Sequence, residues 1–395
     1  VEELISNIAE YSNQIFFMGD VFVTRLAKFL PNDPVSNDDI ELYLGLVDDK
    51  PSRAKTKILS NNKIQSRYYA IDKDGRSTHS NAQLAAKAVE GLLDENFTKN
   101  DIELLTFGTM SPEQLLPSHT AMIHGELGCP PAEIVSVSSS CASGFQAMKY
   151  AYLSVKNGDI KRAVSGASEK VSTWLRGEKF DMETDRLKEL EANPMIAFEK
   201  DFMRWMLSDG AAAALLEDKP NENGLSLRVD FIDIKSYANE LPTCMYSGAI
   251  RSPNGELTGW PEFKPEEWGT QSIFSFKQDT RLLGVKIVLM GGKFMKEVFE
   301  KHNLTIDGID YYLPHLSSEY FRERIAEEQE KIGLLFPPEK WFTNLTRVGN
   351  VGSVSPYLML EELFNTGKLK RGQKILVMIP ESARFTYIYA HFTVV

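Results

Sequence analysis

Apolar and polar residues follow one another along this chain in two rhythms, one of strands and one of helices. Residues 19–24, where Asp20-Val21-Phe22-Val23-Thr24 follows Gly19, have the short apolar run of a strand. Asp38 and Asp39 open a helix, and residues 81–94 (NAQLAAKAVEGLLD) read as an Asn-capped amphipathic helix. Residues 103–109 look like a strand and 118–127 like a short helix. Ile134-Val135-Ser136-Val137 reads as a short buried strand, followed by Ser138-Ser139-Ser140-Cys141. An alanine-rich helix then runs to about Lys156, where Asn157-Gly158 stops it. Residues 162–167 form the next strand, and 211–216 (AAAALL), after Asp209-Gly210, a further one.

The second half repeats this plan. Residues 341–345 (WFTNL) read as a strand, Gly349 to Ser353 as a tight loop, and a helix runs from near Ser353 to near Gly367, with Pro356 in its first turn. Strands follow at 374–379 and 385–395. Cys141 lies seventeen residues before Gly158, and Asn350 seventeen before Gly367. Equal spacing of loop residue and helix stop, in the same strand–loop–helix–strand order, predicts an internal duplication. The fold class is therefore α/β around a largely buried sheet. Residues 1–17 form an N-terminal extension, 18–220 a first half carrying Cys141, and 221–395 a second half. Two stretches break the rhythm: 174–205, dense in charge, and 237–275, which holds Pro242, Pro253, Pro261, Pro265, Trp260 and Trp268. Long excursions of this kind are often lids or pocket walls.

Composition narrows the picture. At 395 residues, 43% hydrophobic and 25% charged, the chain has the balance of a globular protein of two ordinary domains, neither disordered nor fibrous. A net charge of −11 argues against nucleic acid as a partner. No run of eighteen apolar residues exists, so no membrane span is expected. Val1 to Phe17 carries Glu2, Glu3 and Glu10 and no basic residue, unlike a secretory signal. The cysteines, Cys129, Cys141 and Cys244, are odd in number and far apart, which points to free thiols and a reducing cytoplasm. His79, His119, His124, His302 and His391 have no metal-ligand spacing, so no metal site is expected.

Cys141 carries the sharpest chemical signal. It follows a strand, opens a helix, and has small neighbours in Ser140, Ala142, Ser143 and Gly144. A helix N-terminus offers free N–H groups and partial positive charge, which favour a thiolate and an oxyanion. A cysteine that merely fills space fits the local pattern equally well. His315, after Tyr311-Tyr312-Leu313-Pro314, stands at the carboxyl end of a strand, where open α/β sheets place their sites. It can exchange protons, or serve only as a helix cap. Asn350, between Gly349 and Val351-Gly352, is either a turn residue or a carboxamide donor.

Taken in chain order, Cys141, His315 and Asn350 resemble the catalytic set of the β-ketoacyl-acyl-carrier-protein synthase III branch of the thiolase-like superfamily. VSVSSSCASGF, AVSGASE, SDGAAAALLE, LPHLSS and GNVGSVS carry that resemblance from Met18 to Val395. It implies a thiolase-like fold, two duplicated halves stacked as five αβαβα layers, paired as a homodimer. It also implies that Cys141 takes an acyl group from a thioester on the phosphopantetheine of an acyl carrier protein or of coenzyme A, with no resident cofactor. The N–H groups of Cys141 and Ala383 would form the oxyanion hole. His315 and Asn350 would hold the second thioester's carbonyl and stabilise the attacking enolate. Leu116 and Phe385 would stand at the acyl pocket, Leu116 from the neighbouring subunit.

The departures from that family are specific. Pro380-Glu381-Ser382-Ala383-Arg384-Phe385-Thr386 replaces a run of glycines, and Leu316-Ser317-Ser318 replaces Gln-Ala-Asn after the histidine. Asn61 stands where an arginine clamps coenzyme A, which favours a carrier-protein arm. Arg322 and Arg324, or Lys161 and Arg162, are candidate contacts for it. VFVTRLAKFLPNDPVSN is similar to dialkylresorcinol-forming ketosynthases, so a Claisen-type condensation in specialised lipid or polyketide synthesis is expected. An initiating synthase using malonyl thioesters and a thioesterase or acyl shuttle are the competing readings. A papain-like Cys-His-Asn hydrolase fits the duplicated plan poorly.

Overall fold

The computed structural model describes residues 19–47, 49–52, 54–179 and 203–395. The expected extension 1–17 and most of the charged excursion 174–205 lie outside the described residues. In chain order the main elements are β1 (Phe22–Phe29), α1 (Asn81–Glu90), β2 (Leu104–Thr109), α2 (His119–Leu127), β3 (Glu133–Ser138) and α3 (Ser143–Lys156). They continue with β4 (Arg162–Glu169), β5 (Gly210–Glu217), β6 (Leu227–Ser236), α4 (Thr280–Lys301), β7 (Tyr311–Pro314), α5 (Tyr320–Lys331), α6 (Ser355–Asn365), β8 (Lys374–Pro380) and β9 (Thr386–Val394).

The strands form one nine-stranded mixed sheet in the order β7-β8-β9-β6-β1-β5-β4-β2-β3. Read outwards from the middle, the two sides follow the same plan. β1 runs antiparallel to β5, β5 antiparallel to β4, and β4 parallel to β2. On the other side β6 runs antiparallel to β9, β9 antiparallel to β8, and β8 parallel to β7. The two sides are joined by the short antiparallel pairing Phe22↔Arg228 and Val23↔Leu227, extended by the Val229 N–H donating to the Val21 carbonyl at 2.8 Å.

Strand side chains alternate between faces, so each strand feeds two cores. Along β2, Leu104 joins a central core and Leu105 and Phe107 an outer one, against α1 and α2. Along β8, Ile375, Val377 and Ile379 point to the same central core, and Leu376 and Met378 to a second outer core under α4 and α5. Both faces are covered, which is why these strands read as continuous apolar runs. α3 and α6 fill the centre, giving five layers from α1/α2 to α4/α5. There the Phe145 and Tyr357 rings meet edge-on at 5.1 Å. The Tyr357 hydroxyl donates to the Gly144 carbonyl at 3.0 Å and bonds Ser165 Oγ at 2.8 Å.

Three local expectations change. Among the described residues β3 is an edge strand, bonded only to β2, and Ile134 is 37% exposed, so the strand read as buried is not. Of 341–345, Trp341 alone makes a single parallel bridge, to Tyr312, and Leu345–Val348 is a helical turn. Helix α1 is capped by Ser80: its Oγ accepts from Gln83 N while Gln83 Oε1 accepts from Ser80 N. Asn81 instead donates from its side chain to Thr109 Oγ1 and the Ser111 carbonyl. Among the described residues no helix is long and apolar enough to cross a membrane, and no cluster of metal-ligating side chains occurs.

Candidate active site

Cys141 sits in the turn between β3 and α3, at the carboxyl ends of the parallel strands. Small residues bring the surrounding backbone close to it. A Cβ on Gly108, near the end of β2, would stand 2.3 Å from the Ser143 carbonyl carbon, so only glycine lets the strand meet the first turn of α3. A Cβ on Gly144 would stand 2.7 Å from the Ser353 carbonyl oxygen. That contact seats the Asn350 loop against the cysteine helix.

His315 follows β7, its N–H donating to the Met378 carbonyl at 2.7 Å, and it lines one cavity with Cys141. This cavity is a slot that runs between α4 and α5 over the outer face of β7, β8 and β9. Its volume, about 40 Å³, is that of a crevice rather than a chamber. Leu283, Ile287, Val288, Met295, Phe321 and Ile325 make its wall mostly apolar. His315 Nε2 is buried without a hydrogen-bond partner, and burial holds the imidazole down to about 4. The ring is therefore neutral near pH 7, with one nitrogen free for a substrate.

Asn350 does not line the slot. Its loop is held by residues 206–208: the Asn350 N–H donates to the Met206 carbonyl at 3.0 Å, and the Ser208 N–H to the Asn350 carbonyl at 2.9 Å. Oδ1 accepts from Gly352 N at 3.0 Å, an Asx turn that leaves the amide NH₂ as the free end of the side chain. Arg67 and Asn62 in turn hold the Trp205 carbonyl.

The thiol differs from expectation. Burial and then the Glu381 carboxylate push Cys141 up to about 12, against a smaller lowering by Ser140, and Glu169 adds a lesser push upward. Partial charge from the helix terminus is outweighed, because no cation faces the sulfur among the groups that shift it. At rest Cys141 is a thiol. The two expected oxyanion donors are also engaged: Cys141 N–H bonds Ser140 Oγ at 2.7 Å, and Ala383 N–H bonds Glu381 Oε1 at 3.1 Å. Glu381, standing in place of a glycine run, gathers the N–H groups of Ala383, Arg384 and Thr386. Ser382, not Ala383, reaches the slot wall.

Phe385 is fully buried in the outer core at φ 61° and does not line the slot. Leu116 is 85% exposed and far from being enclosed by its own chain. None of residues 237–275 lines the slot, although Cys244 N–H and Met245 N–H both bond the Ala383 carbonyl. Two of the candidate carrier contacts are ion-paired, Arg322 with Glu319 and Arg162 with Asp101 and Glu217, while Arg324 lies over the Tyr320 ring.

Sequence reasoning missed Glu169. It lies at the carboxyl end of β4, fully buried, and accepts from Ser111 Oγ at 2.6 Å, Ser353 Oγ at 2.5 Å and Met110 N at 3.1 Å. Burial raises it to about 7 against these donors. It ties the loop after β2 to the Asn350 loop. A carboxylate ending an otherwise apolar strand was the available signal.

Layer order, strand plan and a cysteine at a strand-to-helix junction define a thiolase-like fold, and the chain is an acyl-transferring condensing enzyme similar to the β-ketoacyl-ACP synthases III. Residues 118–221 match the beta-ketoacyl synthase N-terminal domain, and residues 299–379 match the 3-oxoacyl-[acyl-carrier-protein] synthase III C-terminal domain. The chain is 23% identical over 371 residues to beta-ketoacyl-[acyl-carrier-protein] synthase III of Chlorobaculum tepidum, covering 92% of this chain and 96% of that one. It is 24% identical over 361 residues to the enzyme of the same name from Clostridium acetobutylicum, covering 91% and 95%. Among solved structures it is similar to AbyA1, a tetronic acid condensing enzyme (TM-score 0.71, 19% identity, 94% of this chain and 99% of that one). It is also similar to Xanthomonas campestris OleA, solved with lauric acid and lauroyl-CoA (TM-score 0.69, 18% identity, 95% and 99%).

Proposed function

We propose that this enzyme joins two acyl thioesters by a Claisen-type condensation through an acyl-Cys141 intermediate, in specialised lipid or polyketide synthesis of the dialkylresorcinol-precursor type. One substrate would be a β-ketoacyl thioester, and ring closure would give a cyclohexanedione. The observation that carries the reading is the shared slot: the Cys141 thiol and the unpartnered His315 imidazole open on one apolar crevice. In acyl transfer the Cys141 sulfur–carbonyl bond forms as the donor thioester's sulfur–carbonyl bond breaks, and the proton of the Cys141 thiol ends on the departing carrier thiol. His315, neutral, would donate to the carbonyl of the second thioester, with the Asn350 amide as the second donor once the loop meets substrate. Such donors contribute about 3 kcal/mol each to lowering a barrier.

An initiating synthase that condenses with malonyl-ACP is the second reading, favoured by the names of the curated relatives. Acyl carrier protein is the proposed donor in both. A homodimer is proposed through β3, whose outer edge is unpaired among the described residues and which presents Ile134, with Leu115 and Leu116 also exposed.

Reconstitution with a panel of acyl, β-ketoacyl and malonyl thioesters, read by mass spectrometry, tests the reading. Product from acyl plus β-ketoacyl donors, lost in Cys141→Ala, is the expected result. Product from malonyl donors alone would establish the initiating synthase. Hydrolysis without a new carbon–carbon bond would establish a thioesterase. His315→Ala should keep acylation of Cys141 while lowering condensation by roughly 10²–10³-fold.

A further inference from the structure

The slot holds polar groups that the proposed condensation does not use. Tyr312 and Gln329 both line it, at 0% and 2% exposure. Tyr312 Oη and Gln329 Nε2 are buried without a hydrogen-bond partner. Buried polar groups are ordinarily paired, so two orphans on one cavity wall require an occupant. Both are rigidly held. The Tyr312 ring stacks on Phe336 at 4.3 Å and meets Trp341 edge-on at 5.1 Å. Gln329 Oε1 accepts from Phe336 N at 3.2 Å, which fixes Nε2 as the free donor. The two side chains are neighbours, close enough for Gln329 to pull the Tyr312 hydroxyl down against the rise that burial causes, but the contact falls short of hydrogen-bond geometry and leaves both polar atoms able to take a further partner.

Their place along the slot is set by β7. Tyr312 precedes His315 by three residues, which is about 10 Å along an extended strand. The rest of the wall is mostly apolar, with Ser317, Ser382 and Glu328 among its other polar members. A chain that starts on Cys141 and runs down this crevice therefore meets hydrocarbon first and a donor pair afterwards.

We propose that an acyl chain esterified to Cys141 lies in this slot and carries a mid-chain hydroxyl or keto oxygen, which Tyr312 Oη and Gln329 Nε2 bind. The proposal rests on the acyl-Cys141 reading above and adds a substrate class to it. Side chains such as Met295 must shift to admit the chain, and methionine is the side chain best suited to do so. Tyr312 and Gln329 are specificity residues here. They recognise the chain and take no part in bond making.

The test is single-turnover acylation of Cys141, followed by intact mass. Thioesters of one chain length are compared, plain or carrying a hydroxyl or keto group at successive mid-chain positions. One oxygenated position should load at least about tenfold faster than the plain chain, since a site built to hydrogen-bond an oxygen rejects the analogue that lacks it. Tyr312→Phe should bring that ratio close to one. It removes only an unpaired hydroxyl, so the unfolding midpoint should hold or rise. Gln329→Glu keeps the bond to Phe336 N but replaces the donor, and should reduce the preference for a keto group. Equal loading of plain and oxygenated chains by the wild type overturns the proposal. So does a preference that survives Tyr312→Phe, or a lowered midpoint with no change in preference, which would mark an ordered water. If no thioester acylates Cys141 at all, the acyl-enzyme reading falls, and this proposal with it.

Discussion

At the residue scale, Cys141 shows why side-chain chemistry cannot be read from local sequence alone. The small neighbours and the helix terminus were legible, but the two carboxylates near the sulfur come from positions 169 and 381. A negative charge beside a thiol disfavours the thiolate and raises its pKa, so removing the charge lowers it. Glu381→Gln should therefore speed iodoacetamide alkylation of Cys141 several-fold at a fixed pH between 7 and 9, and shift the rate profile toward lower pH. A profile identical to wild type would show that the Glu381 charge is not felt at the sulfur. His315 has the opposite sense. Burial depresses its protonation, so it stays neutral down to about pH 4. Folding then favours the neutral ring, and stability from this group is lost as pH falls from the unfolded value near 6.5 toward 4. Glu169, raised to about 7 from 4.5, contributes stability below 4.5 that is lost as pH rises through 7.

At the element scale, glycines decide how closely α3 approaches its surroundings. Gly144 is pressed between the Ser353 carbonyl at 2.7 Å and the Ala167 side chain at 2.9 Å, measured to a built Cβ. Gly144→Val should cost about 2–3 kcal/mol in urea unfolding and slow acylation of Cys141, because the Asn350 loop must retreat. Gly125, within α2, is the contrast: a Cβ there meets nothing within 4 Å. Gly125→Ala should stabilise by about 0.5–1 kcal/mol, from helix propensity alone. Both glycines sit inside helical sequence patterns, and only their surroundings tell them apart. Strands were legible for a related reason: both faces of β2, β4, β5, β8 and β9 are covered, so their apolar runs are continuous. β3 misled because an edge strand and a central strand share the same β-branched residues.

At the scale of the whole molecule, the mirrored strand plan leaves β3 at one end of the sheet with an unpaired edge, while β7 at the other end is bridged by Trp341. An exposed strand edge, on a chain that also exposes Leu115 and Leu116, is what a second copy would cover. Ile134→Lys together with Leu116→Asp should halve the mass seen by analytical ultracentrifugation if the wild type is a dimer through this edge. A wild type that sediments as a monomer, or a dimer that survives both charges, removes that assembly.

Periodicity and turn residues along the chain were enough to determine the α/β class, the central helices and the positions of a thiol and an imidazole at the ends of strands, because each depends on hydrogen bonding and burial within a few residues. Tertiary structure alone decided that Cys141 and His315 open on one slot between α4 and α5, that Asn350 stands outside it, and that Glu381 occupies the Ala383 amide. These depend on which distant segments the sheet brings together. Burial and charge at a point in space sum over all of them, and no window of sequence contains that sum.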